Sequence, residues 1–156
     1  KGQKKVDVVH IELVKEKTIL YEGTDIQKRA IKTAEDVICL ASSFFNSADR
    51  EKFYVIPLNA VMEPINITLA FMGGTSECHI YIPEIFKTAI LSNASYIICI
   101  HNHLSGNVEP SEDDKKTTVR IQFAGQILGI PLQDHIIVSD DKYYSFQEAE
   151  LLAKVE

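Results

Sequence analysis

Apolar and polar positions alternate loosely over residues 6–14, VDVVHIELV, which predicts a strand. A polar turn at 15–17 and a second apolar run at 18–21 suggest that the chain returns as a hairpin, closed by Glu22-Gly23. The period then lengthens. Over residues 33–46 the apolar positions Val37, Ile38, Leu40, Ala41, Phe44 and Phe45 share a helical face, and Thr33 with Asp36 forms a candidate capping box. Residues 53–58, FYVIPL, read as an apolar strand in which Pro57 suggests an edge or a bulge. A turn at 59–63 leads to a partner strand at 65–72, which stops at Gly73-Gly74. A short strand is expected at 80–82. Pro83 then opens a helix whose buried face is Ile85, Phe86, Ala89, Ile90 and Leu91, with Asn93 as its stop. The run at 96–100, YIICI, reads as a central strand. Ser111 caps a long helix over 112–128 with Val119, Ile121, Phe123, Ala124, Ile127 and Leu128 inward, and Gly129 ends it. Strands at 132–139 and 143–146 and a last helical turn or two over 148–154 complete the series. The expected organisation is an N-terminal β-hairpin extension, residues 1–29, on one globular domain, residues 30–156.

Composition narrows the class. Hydrophobic residues make up 46% of the 156 and charged residues 24%, an ordinary globular balance in a chain long enough to bury roughly two-thirds of its unfolded surface. No apolar run approaches the roughly 20 residues that span a bilayer, so no membrane partner is expected. No signal peptide is visible, and a first residue that is Lys leaves room for an upstream domain. The net charge of −6, with scattered basic residues, argues against non-specific duplex binding. The three cysteines form no CxxC. Cys39 and Cys99 read as reduced small core residues, which fits a cytoplasmic protein.

The chemistry concentrates where the central strand ends. His101 and His103 are two apart, so a strand presents both imidazoles on one face. Asp114 follows eleven positions after His103, in the first turn of the long helix. Two histidines, one carboxylate and an open position for water make a catalytic zinc arrangement. Glu51, just ahead of the apolar strand at 53–58, is the candidate base if that strand neighbours the one ending at His101. Ser111 either donates to a developing oxyanion or only caps the helix. Each residue alone has a plainer reading. A bare His-x-His is usually surface or core, and an acidic residue in a first helical turn favours the helix dipole. It is their combination in a strand–loop–helix context that points to a metal.

The pattern His101-x-His103, ten residues, Asp114, with Ser111 three before the aspartate, resembles the JAMM signature of JAB/MPN-domain metalloproteins. The longer string NASYIICIHNHLSGNVEPSEDD is similar to the corresponding segment of the RadC-like branch, bacterial proteins traditionally called DNA repair proteins. Arg50-Glu51-x-Phe53, Gly74-Thr75, Leu128-Gly129-Ile130, Asp134-His135-Ile136-Ile137 and Tyr144-Ser145-Phe146 agree with that branch. The resemblance covers about residues 30 to 152. It implies an α/β fold of the JAB/MPN type, a curved mixed sheet flanked by helices with cytidine-deaminase-like architecture. It also implies one zinc ion on His101, His103 and Asp114, with Glu51 holding or activating water. Relatives in the wider family cleave peptide or isopeptide bonds, so a peptide or protein substrate is expected. A DNA-associated role, or a non-catalytic interaction module, stands as the alternative. Two positions depart from the pattern: Leu104 replaces a proline after the second histidine, and no arginine stands near Pro83-Glu84. Asp134-His135 reads as a supporting pair, and His79 and His10 as residues without a role in the site.

Overall fold

The computed structural model describes residues 2–22, 29–73 and 80–152. Its strands are β1 (Glu51–Leu58), β2 (Thr68–Gly73), β3 (Tyr96–Asn102), β4 (Leu132–Ser139) and β5 (Lys142–Ser145); its helices are α1 (Ala34–Ala41), α2 (Ile82–Leu91) and α3 (Glu112–Leu128). The strands form one mixed sheet in the order β2-β1-β3-β4-β5. All neighbours are antiparallel except β3 and β4, which α3 joins as a parallel crossover. The expected α/β fold, a sheet flanked by helices, is the one observed.

The apolar run of β3 explains why both sheet faces are covered. Its residues 97–100 are all buried, and successive side chains leave the strand on opposite sides. Ile98 and Ile100 join Tyr54, Ile56 and Ile136 beneath α1. Ile97 and Cys99 join Phe53, Val55, Phe86 and Ile121 beneath α2 and α3. Burying each such aliphatic side chain contributes about 1.5–3 kcal/mol, so this one strand anchors two cores. Beyond Ile100 the same alternation carries His101 onto the α2–α3 side.

The far end of α3 is held tightly. A Cβ on Gly125 would stand 2.6 Å from the Ile130 carbonyl oxygen, and the Ile130 amide donates to the Gly125 carbonyl (2.9 Å). Gly129 then closes the helix in the left-handed region at φ 70°.

Several expectations are corrected. The N-terminal hairpin does not form: residues 2–22 carry no strand pairing, and their apolar side chains are largely exposed. A two-stranded ribbon is marginal in water, and Lys15-Glu16-Lys17 lacks the Gly or Asn that a tight hairpin turn favours. Strand β1 is internal, not an edge. Pro57 lies beyond the end of the β2 ladder at Val55–Thr68, and its carbonyl accepts from the Ile65 amide (2.9 Å). The irregularity in that ladder lies instead between Phe53 and Tyr54. Strand β2 begins only at Thr68, and the short strand expected at 80–82 is replaced by the start of α2. The helix at 33–46 ends at Ala41 and tightens into a 3₁₀ turn over Ser42–Phe44. Residues 147–151 make hydrogen-bonded turns rather than a helix. Cys39 is exposed, unlike buried Cys99. The inward face of α3 is Thr118, Ile121 and Gly125, while Val119, Phe123 (66% exposed) and Ile127 face outward. Gly74-Thr75, Cys78, His79 and residues 153–154 lie outside the described residues. Among the described residues no helix is long and apolar enough to cross a membrane.

Candidate metal centre

His101 leaves the end of β3 on the α3 side, and His103 follows on the same side two residues later. Their Nε2 atoms are 3.1 Å apart. The first turn of α3 brings Asp114 against both, Oδ1 at 3.2 Å from His101 Nε2 and Oδ2 at 3.2 Å from His103 Nε2. Tetrahedral zinc ligands about 2.0–2.1 Å from the ion lie about 3.3–3.4 Å from one another, so the two nitrogens stand near that spacing and the carboxylate offers one oxygen to each at a similar distance. Among the described residues this is the group of His, Cys, Asp or Glu side chains able to hold a metal ion.

The hydrogen bonds behind the ligand atoms set which nitrogen of each histidine carries a proton. Thr118 Oγ1 donates its one proton to the Asp114 carbonyl (2.7 Å), so it accepts from His135 Nδ1 at 2.7 Å. Burial holds the His135 imidazole well below its ordinary pKa, with the neighbouring His101 adding to the effect. His135 is therefore neutral, protonated at Nδ1, and its Nε2 accepts from His101 Nδ1 at 2.8 Å. The Nε2 lone pair of His101 then faces the cluster. His103 reaches the same state by a shorter route, donating from Nδ1 to the Asn107 carbonyl (2.9 Å).

Two nitrogen lone pairs and a carboxylate thus converge on one point, an arrangement that a cation stabilises. Burial opposes ionisation of Asp114. The neighbouring His101 and His103 imidazoles outweigh it, and the Ser111 amide assists, leaving the carboxyl well below the usual range. The Asp114 carboxylate in turn raises the His103 imidazole, against the opposing effect of burial.

Local sequence holds each donor in place. Ser111 and Asp114 form a capping box: the Asp114 amide donates to Ser111 Oγ (3.0 Å) and the Ser111 amide to Asp114 Oδ2 (2.7 Å). The His103 amide donates to the Val138 carbonyl (2.9 Å), and its own carbonyl accepts from Ser139 Oγ (2.7 Å). Phe53 stacks on His101 at 5.6 Å between ring centroids, and Phe146 stacks on His135 at 5.0 Å. These apolar rings confine the imidazoles laterally.

Glu51 is brought in by register. Phe53 pairs with His101 across β1 and β3, so the same antiparallel ladder, two residues on, faces Glu51 towards position 103. Asn102 fixes the start of β1 there, accepting from the Lys52 amide (2.7 Å) and donating to the Arg50 carbonyl (3.2 Å). Burial raises the Glu51 carboxyl above its ordinary value, Asp114 adds to the rise, and the two histidines oppose it. Glu51, Ser111, His101, His103 and Asp114 all line one cleft of about 740 Å³. A second cleft of about 640 Å³ opens on the α1 side, and Leu104, 54% exposed, borders both.

Glu51, His101, His103, Ser111 and Asp114, the site residues read from sequence, therefore gather at one place, while exposed His10 does not join them and His79 lies outside the described residues. The pair Asp134-His135 divides. Asp134 points away, accepts from Ser145 Oγ (2.6 Å) and the amides of His135 (2.7 Å) and Gln147 (3.0 Å), and is pushed up to about 6 by burial. His135 alone joins the histidines. Thr118, Asn102 and the Asn107 carbonyl were not singled out. Thr118 stands one helical turn after Asp114, the one local signal for it. Asn102 lies between the two histidines.

Residues 31–151 match the family described as RadC-like JAB domain. A UPF0758 protein of Shouchella clausii is 35% identical over 132 residues, covering 85% of this chain and 57% of that protein. One of Chlorobium chlorochromatii is 39% identical over 126 residues, 81% of this chain and 57% of its own length. One of Staphylococcus aureus is 42% identical over 100 residues, 64% and 46% of the two chains. The chain spans about half the length of these curated relatives.

Proposed function

This chain belongs to the RadC-like JAB domain family, and from that membership we propose that it is a zinc-dependent hydrolase of peptide or isopeptide bonds. The observation that carries the reading is the convergence of two Nε2 atoms 3.1 Å apart with the Asp114 carboxylate, which sets Oδ1 3.2 Å from one and Oδ2 3.2 Å from the other, the lone pairs being directed by His135 and Asn107. A zinc ion bound by His101, His103 and Asp114 supplies Lewis acidity towards a substrate carbonyl and lowers the pKa of water.

The chain's own residues do the rest. Glu51 takes the proton from the attacking water and returns it to the leaving amine, a task suited to a carboxyl raised by burial. Ser111 Oγ already accepts from the Asp114 amide, so its hydroxyl proton is available to a developing oxyanion. Phe53 and Phe71 give the cleft apolar wall, while Glu51, Glu109, Asp113 and Asp114 outnumber Lys52 along it. That balance favours a neutral or basic peptide over a phosphodiester backbone. Free thiols at Cys39 and Cys99 support a reducing, cytoplasmic setting.

Elemental analysis of the purified chain should find one zinc per molecule, and His103→Ala should lose it. Zinc retained by that variant overturns the site. Glu51→Gln should keep the metal and lose hydrolysis of a peptide library. The acid limb of the wild-type pH–rate profile should lie above the ordinary glutamate range, with activity falling as pH drops through the raised Glu51 value.

A further inference from the structure

The segment expected to fold back as a hairpin carries no strand pairing. Among the described residues no backbone–backbone hydrogen bond involves residues 2–22. Yet the segment carries large apolar side chains in the open: Val8 is 97% exposed, Ile11 74% and Leu13 45%, with Val6, Val9 and Val14 similarly bare. Apolar surface concentrated in this way marks an interaction site rather than a solvated tail. The segment leaves the body where Ile19 is half-buried and the Lys17 ammonium sits 5.7 Å above the Phe44 ring.

Its sequence specifies the occupant. Reversed upon itself about Ile11, the stretch Asp7 to Lys15 is complementary at every position. Asp7 meets Lys15, Val8 meets Val14, Val9 meets Leu13, His10 meets Glu12, and Ile11 meets itself. In an antiparallel pair these partners also share faces. One face carries Val9, Ile11 and Leu13 of both copies between two Asp–Lys pairs; the other carries two Val–Val contacts and two His–Glu contacts. Neighbouring registers lose the match. A shift by one residue places Asp7 opposite Val14 and Val9 opposite Glu12, or Asp7 opposite Glu16 and Ile11 opposite Glu12. Lys5 opposite Lys17 limits the pairing at each end.

We propose that residues 7–15 pair antiparallel with the same segment of a second copy, giving a two-fold symmetric dimer centred on Ile11. Such an interface is isologous and closes, so it produces dimers rather than filaments. A two-stranded ribbon is marginal in water, so the dimer is expected to be concentration-dependent.

The test is sedimentation equilibrium of the full chain across a dilution series, with charge-swapped variants. The wild type should pass from dimer to monomer on dilution. Asp7→Lys replaces both attractive end pairs with a lysine facing Lys15 and should weaken the dimer about tenfold; the double variant Asp7→Lys/Lys15→Asp should restore it. A wild type that stays monomeric overturns the proposal. So does an Asp7→Lys dimer of undiminished affinity, the result expected if the segment instead adds to the β2 or β5 edge of a neighbour. A double variant without rescue overturns the register.

Discussion

Two helices of this protein begin with the same device and put it to different uses. At α1, Thr33 Oγ1 accepts from the Asp36 amide (3.3 Å), and Asp36 Oδ2 receives the amides of Lys32 (2.9 Å) and Thr33 (3.0 Å). At α3, Ser111 and Asp114 repeat that exchange. The carboxylate at α1 is half-buried, as Asp114 is, but among the described residues it belongs to no metal-holding group. The carboxylate at α3 faces two imidazoles at 3.2 Å. The local chemistry is the same in both. The difference lies in what the fold sets before the helix end: at α3 it is the end of a buried central strand. A capping box orients a carboxylate at little cost in side-chain entropy, and a strand that ends in His-x-His makes use of that orientation.

Asp114→Ala and Asp36→Ala separate the two uses most widely. Asp114→Ala should empty the centre, lowering metal affinity by more than the ~10–100-fold expected of a supporting residue, as read by titration with zinc. Asp36→Ala should leave metal binding unchanged. Equal metal binding by the two variants would erase the distinction.

A finer test lies behind the ligands. Thr118→Val keeps the volume and removes the hydroxyl that orients His135. Zinc affinity should fall ~10–100-fold while the fold persists, because His135 no longer has a partner for its Nδ1 proton and His101 loses its fixed tautomer. An unchanged affinity would mean that the Thr118–His135–His101 chain only packs. The smallest effect belongs to Thr33→Ala at α1, a loss of about 1 kcal/mol in thermal or denaturant unfolding with metal content intact.

How much of this was legible in the sequence follows from the range of each interaction. Ser111 with Asp114, Thr33 with Asp36, Pro83 and Gly129 act within one turn of their own helix, and each was readable from spacing. His101 and His103 share a face because strand alternation is local. The position of Glu51 needed β1 beside β3, and the family resemblance supplied that before any pairing was known. The Thr118–His135–His101 chain was not readable, because it depends on how β4 aligns with β3 and how α3 lies across both. The face of α3 was misread for a related reason. Over the metal centre the helix turns inward the side chains that serve it, Asp114 and Thr118, and at its far end it needs Gly125 where a larger residue would collide. Its outward apolar residues therefore dominated the periodicity without facing the core. Residues 6–14 did show strand alternation, but alternation does not say which chain supplies the neighbouring strand.

The contact at Gly125 also has a mechanical reading. Helix α3 is a rigid rod, tied to the start of β4 at Gly125 and carrying Asp114 at its opposite end, about 16 Å away along the axis. Gly125 is the fulcrum and the carboxylate is the tip. A methyl group there forces Gly125 and the Ile130 carbonyl apart, and whatever part of that shift α3 takes up is carried along the helix towards Asp114. Ligand distances in a metal site tolerate only about 0.2 Å. The residue with no side chain thus calibrates the position of a ligand it never touches.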